Sequence, residues 1–257
     1  MNTIHRGFAL EVIVQPDRFS AGIVAAKEVA RAIRENPETV LGLVSGKTLV
    51  PFYKELVRLY REEGLDFGRV TVFHLDGDVG VDSAHPQSCH QIMWKNLFGL
   101  VNVNASNVHI PNVSVEGLDA FRIGYEKTIQ DAYGIDLQII DLQSASQLAP
   151  TILKKTSGCQ MVTSADPVLN SRKCLMLASG LSAASAVADA VEGPIFNGPA
   201  SLILKQHECA RVILDEGAAD ELQLKDYYQW RSPRVAARRA PSVKAVDSIC
   251  QSPYCFR

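Results

Sequence analysis

The stretch TVLGLVSGKT, residues Thr39–Thr48, decides the predicted fold together with RVTVFHLDGDVGVDSAHP, residues Arg69–Pro86. The first is an apolar run that breaks into a Ser-Gly-Lys-Thr turn and then resumes with helical spacing. This pattern predicts a buried strand, a turn and a helix N-terminus. The second predicts a strand that delivers Asp76 and Asp78 to a loop. Ligands of open parallel sheets bind beyond the carboxyl ends of the strands, so we expect both stretches to face one crevice.

Helical and strand patterns alternate along most of the chain. Apolar runs predict strands at Ala9–Val14, Thr39–Val44, Arg69–Leu75, Asn107–Ile110, Ile135–Asp141, Arg172–Ser179 and Ala210–Leu214. Helical spacing predicts helices at Arg18–Glu35, Thr48–Gly64, Gln87–Phe98, Gly117–Tyr133, Leu181–Val191 and Glu216–Tyr228. The alternation predicts an α/β fold with parallel strands and right-handed crossovers, with Ile135–Asp141 in the middle of the sheet. Leu142–Gly158 shows no assignable pattern.

The composition is typical of a globular protein, with 47% apolar and 21% charged residues among 257. Residues 1–228 form one predicted domain, and residues 229–257 form a predicted basic, disordered tail. The net charge of −2 does not indicate binding to nucleic acid or membrane, and the tail is only weak evidence for an anionic partner. No apolar run approaches the roughly 20 residues that span a bilayer. Six cysteines without a CxxC pair predict reduced thiols, no metal site and a cytoplasmic protein.

The turn of Ser45, Gly46, Lys47 and Thr48 is a candidate phosphate site. Free backbone N–H groups and the helix dipole both favour an anion at such a turn. The spacing from Gly42 to Gly46 is too short for the nucleotide-binding P-loop, so a monophosphate is the better match. An ordinary strand-to-helix turn with Thr48 as the N-cap residue remains the alternative.

Two carboxylates, Asp76 and Asp78, are the candidate catalytic groups. A carboxylate at a strand end can act as a base on a carbon-bound proton, especially where desolvation raises its pKa. His90 is a candidate partner for either aspartate. The alternative is that the aspartates only cap the helix that follows.

Several motifs in order resemble the glucosamine-6-phosphate deaminase family, also described as glucosamine/galactosamine-6-phosphate isomerases. They are LGLVSGKT in the first loop, HLDGDVG after the next strand, HPQS at His85–Ser88, HIPN at His109–Asn112 and VEGP at Val191–Pro194. The resemblance covers nearly everything from Leu10 to Tyr228. The related phosphogluconolactonases resemble the early loop but lack the last three motifs.

The resemblance implies a Rossmann-like parallel sheet with helices on both faces, of the sugar-phosphate isomerase/deaminase type. It implies conversion of glucosamine 6-phosphate and water to fructose 6-phosphate and ammonia, without metal or cofactor. Asp76 matches the base that moves a proton between C1 and C2, and Ser45 to Thr48 match the phosphate-binding loop. The family also implies a cytoplasmic homo-oligomer with a sugar-phosphate ligand.

The chain departs from the family pattern after its central strand. Family members carry a segment close to GHIGFNEP there, which supplies the aspartate, histidine and glutamate that open the sugar ring. In this chain Leu137–Asp141 runs directly into Leu142-Gln143-Ser144-Ala145, and a following stretch with a phosphate-binding arginine is also missing. A family lysine aligns with Ala183. We therefore expect a poor deaminase or none.

Three interpretations of these departures remain open. The chain is a working enzyme with substitute groups in Leu142–Gly158, a non-catalytic member that binds a sugar phosphate or a partner protein, or an incomplete gene product. The loss of one contiguous block favours the last two.

Overall fold

The computed structural model describes residues 10–114, 116–147, 158–194 and 198–230. The strands are β1 (Glu11–Gln15), β2 (Val40–Leu43), β3 (Thr71–His74), β4 (Asp76–Val79), β5 (Val108–His109), β6 (Asn112–Val113), β7 (Leu137–Asp141), β8 (Gly158–Met161), β9 (Cys174–Ala178) and β10 (Ala210–Asp215). The helices are α1 (Arg18–Glu35), α2 (Val50–Glu63), α3 (Cys89–Asn96), α4 (Leu118–Asp131), α5 (Leu142–Gln147), α6 (Asp166–Leu169), α7 (Ala184–Val191) and α8 (Pro199–Gln206). A further helix covers residues 225–230.

The larger sheet has the strand order β1-β10-β9-β7-β2-β3-β5, and all its neighbouring strands are parallel. The predicted parallel α/β fold is therefore confirmed, and β7 lies in the middle as expected. Every residue of β7 and β9 is buried, which is typical of strands covered on both faces. The sheet order brings the carboxyl ends of β9, β7, β2 and β3 side by side.

The boundaries of α1 follow from local sequence signals. The Asp17 side chain accepts hydrogen bonds from the backbone N–H groups of Phe19 and Ser20, as an N-cap residue does. The helix ends at Glu35, shortly before Pro37, as the sequence predicts. A short 3-10 turn precedes α2, and Gly64 ends α2 in the left-handed conformation with φ of 66°.

The sequence interpretation was wrong about the segment that carries Asp76 and Asp78. The predicted loop is strand β4, the middle strand of a second, three-stranded sheet in the order β6-β4-β8. Strand β4 pairs with β8, which the sequence pattern did not predict and of which only Gly158 belongs to the segment without an assignable pattern. The pairing joins residues far apart in the chain, so local periodicity does not reveal it.

The predicted helix at Glu216–Tyr228 is also wrong over its first half. Residues 216–221 form turns, because the Asp215 carboxylate accepts hydrogen bonds from the backbone N–H groups of Ala218 and Gly180. The final helix is shorter and reaches Trp230. Helix α8, which the sequence analysis did not assign, precedes β10. The predicted tail beyond residue 230 lies outside the described residues.

Two other expectations concern cysteines and membranes. Cys174 and Cys209 are free thiols, whereas Cys89 is disulfide-bonded, so the expectation of reduced cysteines is wrong for Cys89. None of the helices in the described part of the chain is both long and apolar enough to cross a membrane.

A shared hydrogen bond fixes the ends of β3 and β5. The buried hydroxyl of Tyr125 in α4 lies 2.9 Å from the carbonyl oxygens of His74 and His109. Both carbonyls accept from one hydroxyl proton, so α4 holds the two strand ends in register near Asp76.

We predict that Tyr125→Phe lowers the free energy of unfolding by about 1–3 kcal/mol, because it leaves buried carbonyl groups without this donor. Urea denaturation measures the effect. Tyr133→Phe is the control, since that side chain is 88% exposed. Equal effects of the two substitutions would contradict the assigned role of the Tyr125 hydroxyl.

Candidate functional site

The candidate site lies beyond the carboxyl ends of the four central strands. Strand β2 leads into Ser45 and Gly46, β3 leads into Asp76, and β7 ends at Asp141. The 3-10 turn Lys47–Leu49 contacts β9, so the first loop reaches across the central strand. The two stretches that the sequence assigned to one crevice do meet there.

Asp76 is buried and is held by groups from two strands. One carboxylate oxygen, Oδ2, accepts hydrogen bonds from the backbone N–H of Ser45 at 2.8 Å and from its hydroxyl at 2.5 Å. Nδ1 of His74 lies 2.5 Å from the other oxygen, Oδ1. The predicted catalytic base and the first residue of the predicted phosphate loop therefore contact each other directly.

His74, and not the predicted His90, is the histidine that contacts Asp76. The backbone N–H of His90, not its imidazole, binds Asp78, and the His90 ring packs against Trp94 with ring centroids 5.9 Å apart. His74 lies within an apolar strand pattern. The only local signal was its position two residues before Asp76, which places both side chains at one end of the strand.

Asp78 serves as a helix cap in the structure. Its carboxylate is fully buried and accepts the backbone N–H groups of Cys89 at 2.6 Å and His90 at 3.2 Å. These are the first residues of α3, where unpaired N–H groups favour a negative charge. The geometry corresponds to the alternative that the sequence analysis left open for the two aspartates.

Asp141 is a third buried carboxylate at the site, and it was not among the residues predicted from the sequence. Its Oδ1 accepts the backbone N–H of Ser144 at 2.7 Å, in the first turn of α5. Its Oδ2 lies directly against Gly46, where any side chain would collide with it. The signal was the position of Asp141 at the end of the central strand. A carboxylate therefore covers part of the predicted phosphate loop.

The four predicted phosphate ligands have different surroundings. Ser45 is bonded to Asp76, Gly46 is covered by Asp141, and the Lys47 side chain is exposed. Thr48 lines a cavity of about 460 Å³. The structure brings the four residues together in one turn but directs only Thr48 into this cavity.

The described residues include no group of three or more His, Cys, Asp or Glu side chains arranged to hold a metal ion.

Comparison with known proteins finds relatives that share one name. No family model matches the chain. The glucosamine-6-phosphate deaminase of Arthrobacter sp. (strain FB24) is 32% identical over 248 residues, covering 86% of this chain and 95% of that protein. The corresponding enzyme of Clostridium perfringens is 33% identical over 242 residues, covering 83% of this chain and all of that protein.

This chain belongs to the glucosamine-6-phosphate deaminase family. The resemblance seen in the sequence is thus confirmed, and with it a role of this general type in amino-sugar metabolism.

Solved structures agree with this assignment. A monomeric glucosamine-6-phosphate deaminase of the NagB superfamily superposes with a TM-score of 0.75 at 26% identity, covering 82% of this chain and all of that one. The 6-phosphogluconolactonase of Thermotoga maritima has a TM-score of 0.60 at 16% identity and shares the fold.

In this family member two of the buried aspartates at the site, Asp76 and Asp141, have pKa values shifted in opposite directions. Burial alone would raise the pKa of Asp76, but His74 and the two hydrogen bonds from Ser45 lower it below its ordinary value. Burial raises the pKa of Asp141, the hydrogen bond from Ser144 partly offsets this, and the charge of Asp76 raises it further. The site thus contains one stabilised carboxylate and one destabilised carboxylate.

We predict that Asp76→Asn destabilises the protein at neutral pH by about 1.5–3 kcal/mol, because it removes hydrogen bonds to a charged group. The pKa of Asp76 is lower in the folded state than in the unfolded state. Its contribution is therefore present above about pH 3.9 and is lost as the pH falls through the folded-state pKa. Urea denaturation should show that the free energy of unfolding of the variant is lower than that of the native protein from pH 7 to 5, and that this gap narrows only below about pH 4. A variant as stable as the native protein at pH 7 would contradict this.

Asp141→Asn should have the opposite effect. The pKa of Asp141 is raised on folding, so ionised Asp141 destabilises the native state at neutral pH, and this penalty disappears as the pH falls. We expect the variant to be more stable at pH 7 by roughly 0.5–3 kcal/mol, with a smaller gain near pH 4. The amide oxygen can still accept the Ser144 N–H. Thermal unfolding at both pH values measures the gain.

Asp220→Asn is the matched control for both aspartates, because Asp220 is exposed. It should change the melting temperature little at either pH. Destabilisation by Asp141→Asn at pH 7 would show that the carboxylate is net favourable there.

Proposed function

We propose that this protein is an amino-sugar-binding member of the glucosamine-6-phosphate deaminase family in which release of ammonia from glucosamine 6-phosphate is slow or absent. The observation that carries the proposal is the Asp141 carboxylate against Gly46, in the loop that the family uses for phosphate. A phosphate bound there would meet a buried carboxylate. The repulsion between two like charges is strong where water is largely excluded.

The state of Asp76 supports the same conclusion. A general base acts best when its pKa lies near the working pH, because the base is then both deprotonated and able to take a proton. The contacts with Ser45 and His74 lower the pKa of Asp76, so the carboxylate is present but weakly basic. The carboxylate is positioned to move a proton between two carbon atoms of a sugar, but its low basicity reduces the rate of that transfer.

The ring-opening step lacks the groups that the family resemblance implies. A single well-placed acid or base typically contributes about 10²–10⁴ to the rate. The residues that follow Asp141 in this chain form α5, which presents Gln143, Ser146 and Gln147 to the cavity. Amides and hydroxyls can bind a sugar, but they are weak acids and bases at neutral pH.

We further propose a cytoplasmic location and a homo-oligomeric state. Both are what the sequence resemblance implies; the disulfide at Cys89 argues against the location, and the monomeric solved relative argues against the oligomeric state.

The test is ammonia release from glucosamine 6-phosphate by the purified full chain, beside the Clostridium perfringens relative under identical conditions. We predict a kcat/KM at least about 10²-fold below that of the relative, the loss expected from one missing acid-base group. Residual ammonia release by this protein should fall further in Asp76→Asn. Release by a contaminating enzyme would be the same in both preparations. Turnover comparable to that of the relative would overturn the proposal.

The same preparation distinguishes the remaining interpretations. A cooperative melt with a ligand-dependent shift in Tm supports an amino-sugar-binding protein, since a ligand at about 100 times its Kd stabilises by roughly 2.7 kcal/mol. A cooperative melt without a shift favours a partner-binding member. The absence of a cooperative melt favours an incomplete gene product.

A further inference from the structure

The cavity of about 460 Å³ lies beyond the carboxyl ends of β7 and β9. Helix α5, the turn before α2 and the start of α7 form its walls. The residues that line it are Thr48, Leu142, Gln143, Ser146, Gln147, Leu177, Ala178, Ser179, Ser182, Ala183 and Ala186. Its volume falls within the usual range of about 300–1,000 Å³ for small-molecule sites.

The polar groups of the wall are hydroxyls and amides. Thr48, Ser146, Ser179 and Ser182 supply hydroxyls, and two glutamines supply amides. Hydroxyls and amides can both donate and accept hydrogen bonds, which matches the hydroxyls of a sugar; the Ser146 hydroxyl donates its proton to the carbonyl oxygen of Leu142 and offers only its lone pairs. None of the described side chains that line the cavity is charged.

A phosphate group places different demands on its site. Proteins bind phosphate through Arg or Lys side chains, often combined with several backbone N–H groups. Lys47 is the cation nearest in sequence to the cavity wall, but its side chain is exposed and is not part of the described lining.

The charges beside the cavity are negative. Asp141 directly precedes Leu142 of the cavity wall, and its Oδ2 lies against Gly46, two residues before Thr48. Asp76 is near enough for its charge to affect Asp141. Neither carboxylate is part of the described lining, which is uncharged, but buried charges act over a distance where water is largely excluded, so they repel a dianion and attract an ammonium group.

We propose that this cavity binds an amino sugar without a phosphate group, with the ammonium towards Asp141 and Asp76 and the hydroxyls against the wall of serines, threonine and glutamines. The inference rests on the proposed amino-sugar-binding function and specifies its ligand class. The family motif of the first loop is kept, but the charge around it selects against the phosphorylated sugar.

Isothermal titration calorimetry of the full chain tests the proposal with three probes: glucosamine, glucose and glucosamine 6-phosphate. We expect glucosamine to bind at least about tenfold more tightly than either of the others. Asp141→Asn should reduce the advantage of glucosamine over glucose, because it removes a carboxylate that attracts the ammonium.

A second variant adds the missing cation. Ala183 lines the cavity and is only partly buried, so Ala183→Lys places an ammonium group at the cavity wall. We expect about tenfold tighter binding of glucosamine 6-phosphate to this variant. Ser185→Lys is the matched control, because Ser185 lies two residues further along in the first turn of α7, is exposed and is not part of the described lining; it should leave the affinity unchanged.

The outcomes separate this inference from the proposed function. Tighter binding of glucosamine 6-phosphate than of glucosamine to the native chain overturns the inference and leaves the proposed function standing. Equal binding of glucose and glucosamine also overturns it, since the carboxylates then make no selection. Failure of all three probes to bind overturns both proposals. Circular dichroism and melting temperature confirm that each variant is folded.

Discussion

The contact between Asp76, Ser45 and His74 is the constraint on which the site depends. It joins the end of β2 to the end of β3 and fixes the point at which the chain leaves the main sheet and enters the second sheet. The carboxylate is buried, so removing its partners would leave a charge without compensation. The partners that hold Asp76 in position also lower its pKa. The carboxylate is therefore precisely placed but is a weaker base.

Asp141 has the opposite character, although it lies at the same edge of the sheet, on β7, with only β2 between that strand and β3. It has a backbone donor in Ser144, but it also faces the field of Asp76. Proteins often store unfavourable charge at functional sites, and buried groups with strongly shifted pKa values are candidates for function for that reason. In this protein the unfavourable charge lies against the predicted phosphate loop, and the proposed preference for an unphosphorylated amino sugar is argued from that contact.

We propose that the replacement of one segment underlies this change of ligand. Family resemblance implies an acid-base segment after the central strand, and this chain has α5 in that position. Helix α5 begins immediately after Asp141, packs against α8 and lines the cavity. The parallel sheet is unaffected because its core is formed by strands on both sides of the replaced segment. A scaffold of this kind can keep its fold while the chemistry of its loops changes.

The sequence by itself determined the parallel α/β fold, the central place of β7, the boundaries of α1 and the meeting of Ser45 with Asp76 at one edge. These features follow from local spacing of apolar residues and from the rule that parallel strands end at one edge. The tertiary structure alone decided that Asp76 is paired with His74, that Asp78 caps α3, that Asp141 covers Gly46 and that residues 76–79 form a strand. Each of these depends on contacts or burial that local periodicity does not encode. The pKa of a carboxylate is set by burial and by neighbouring charges, so the chemistry of the site was decided only when the chain had folded.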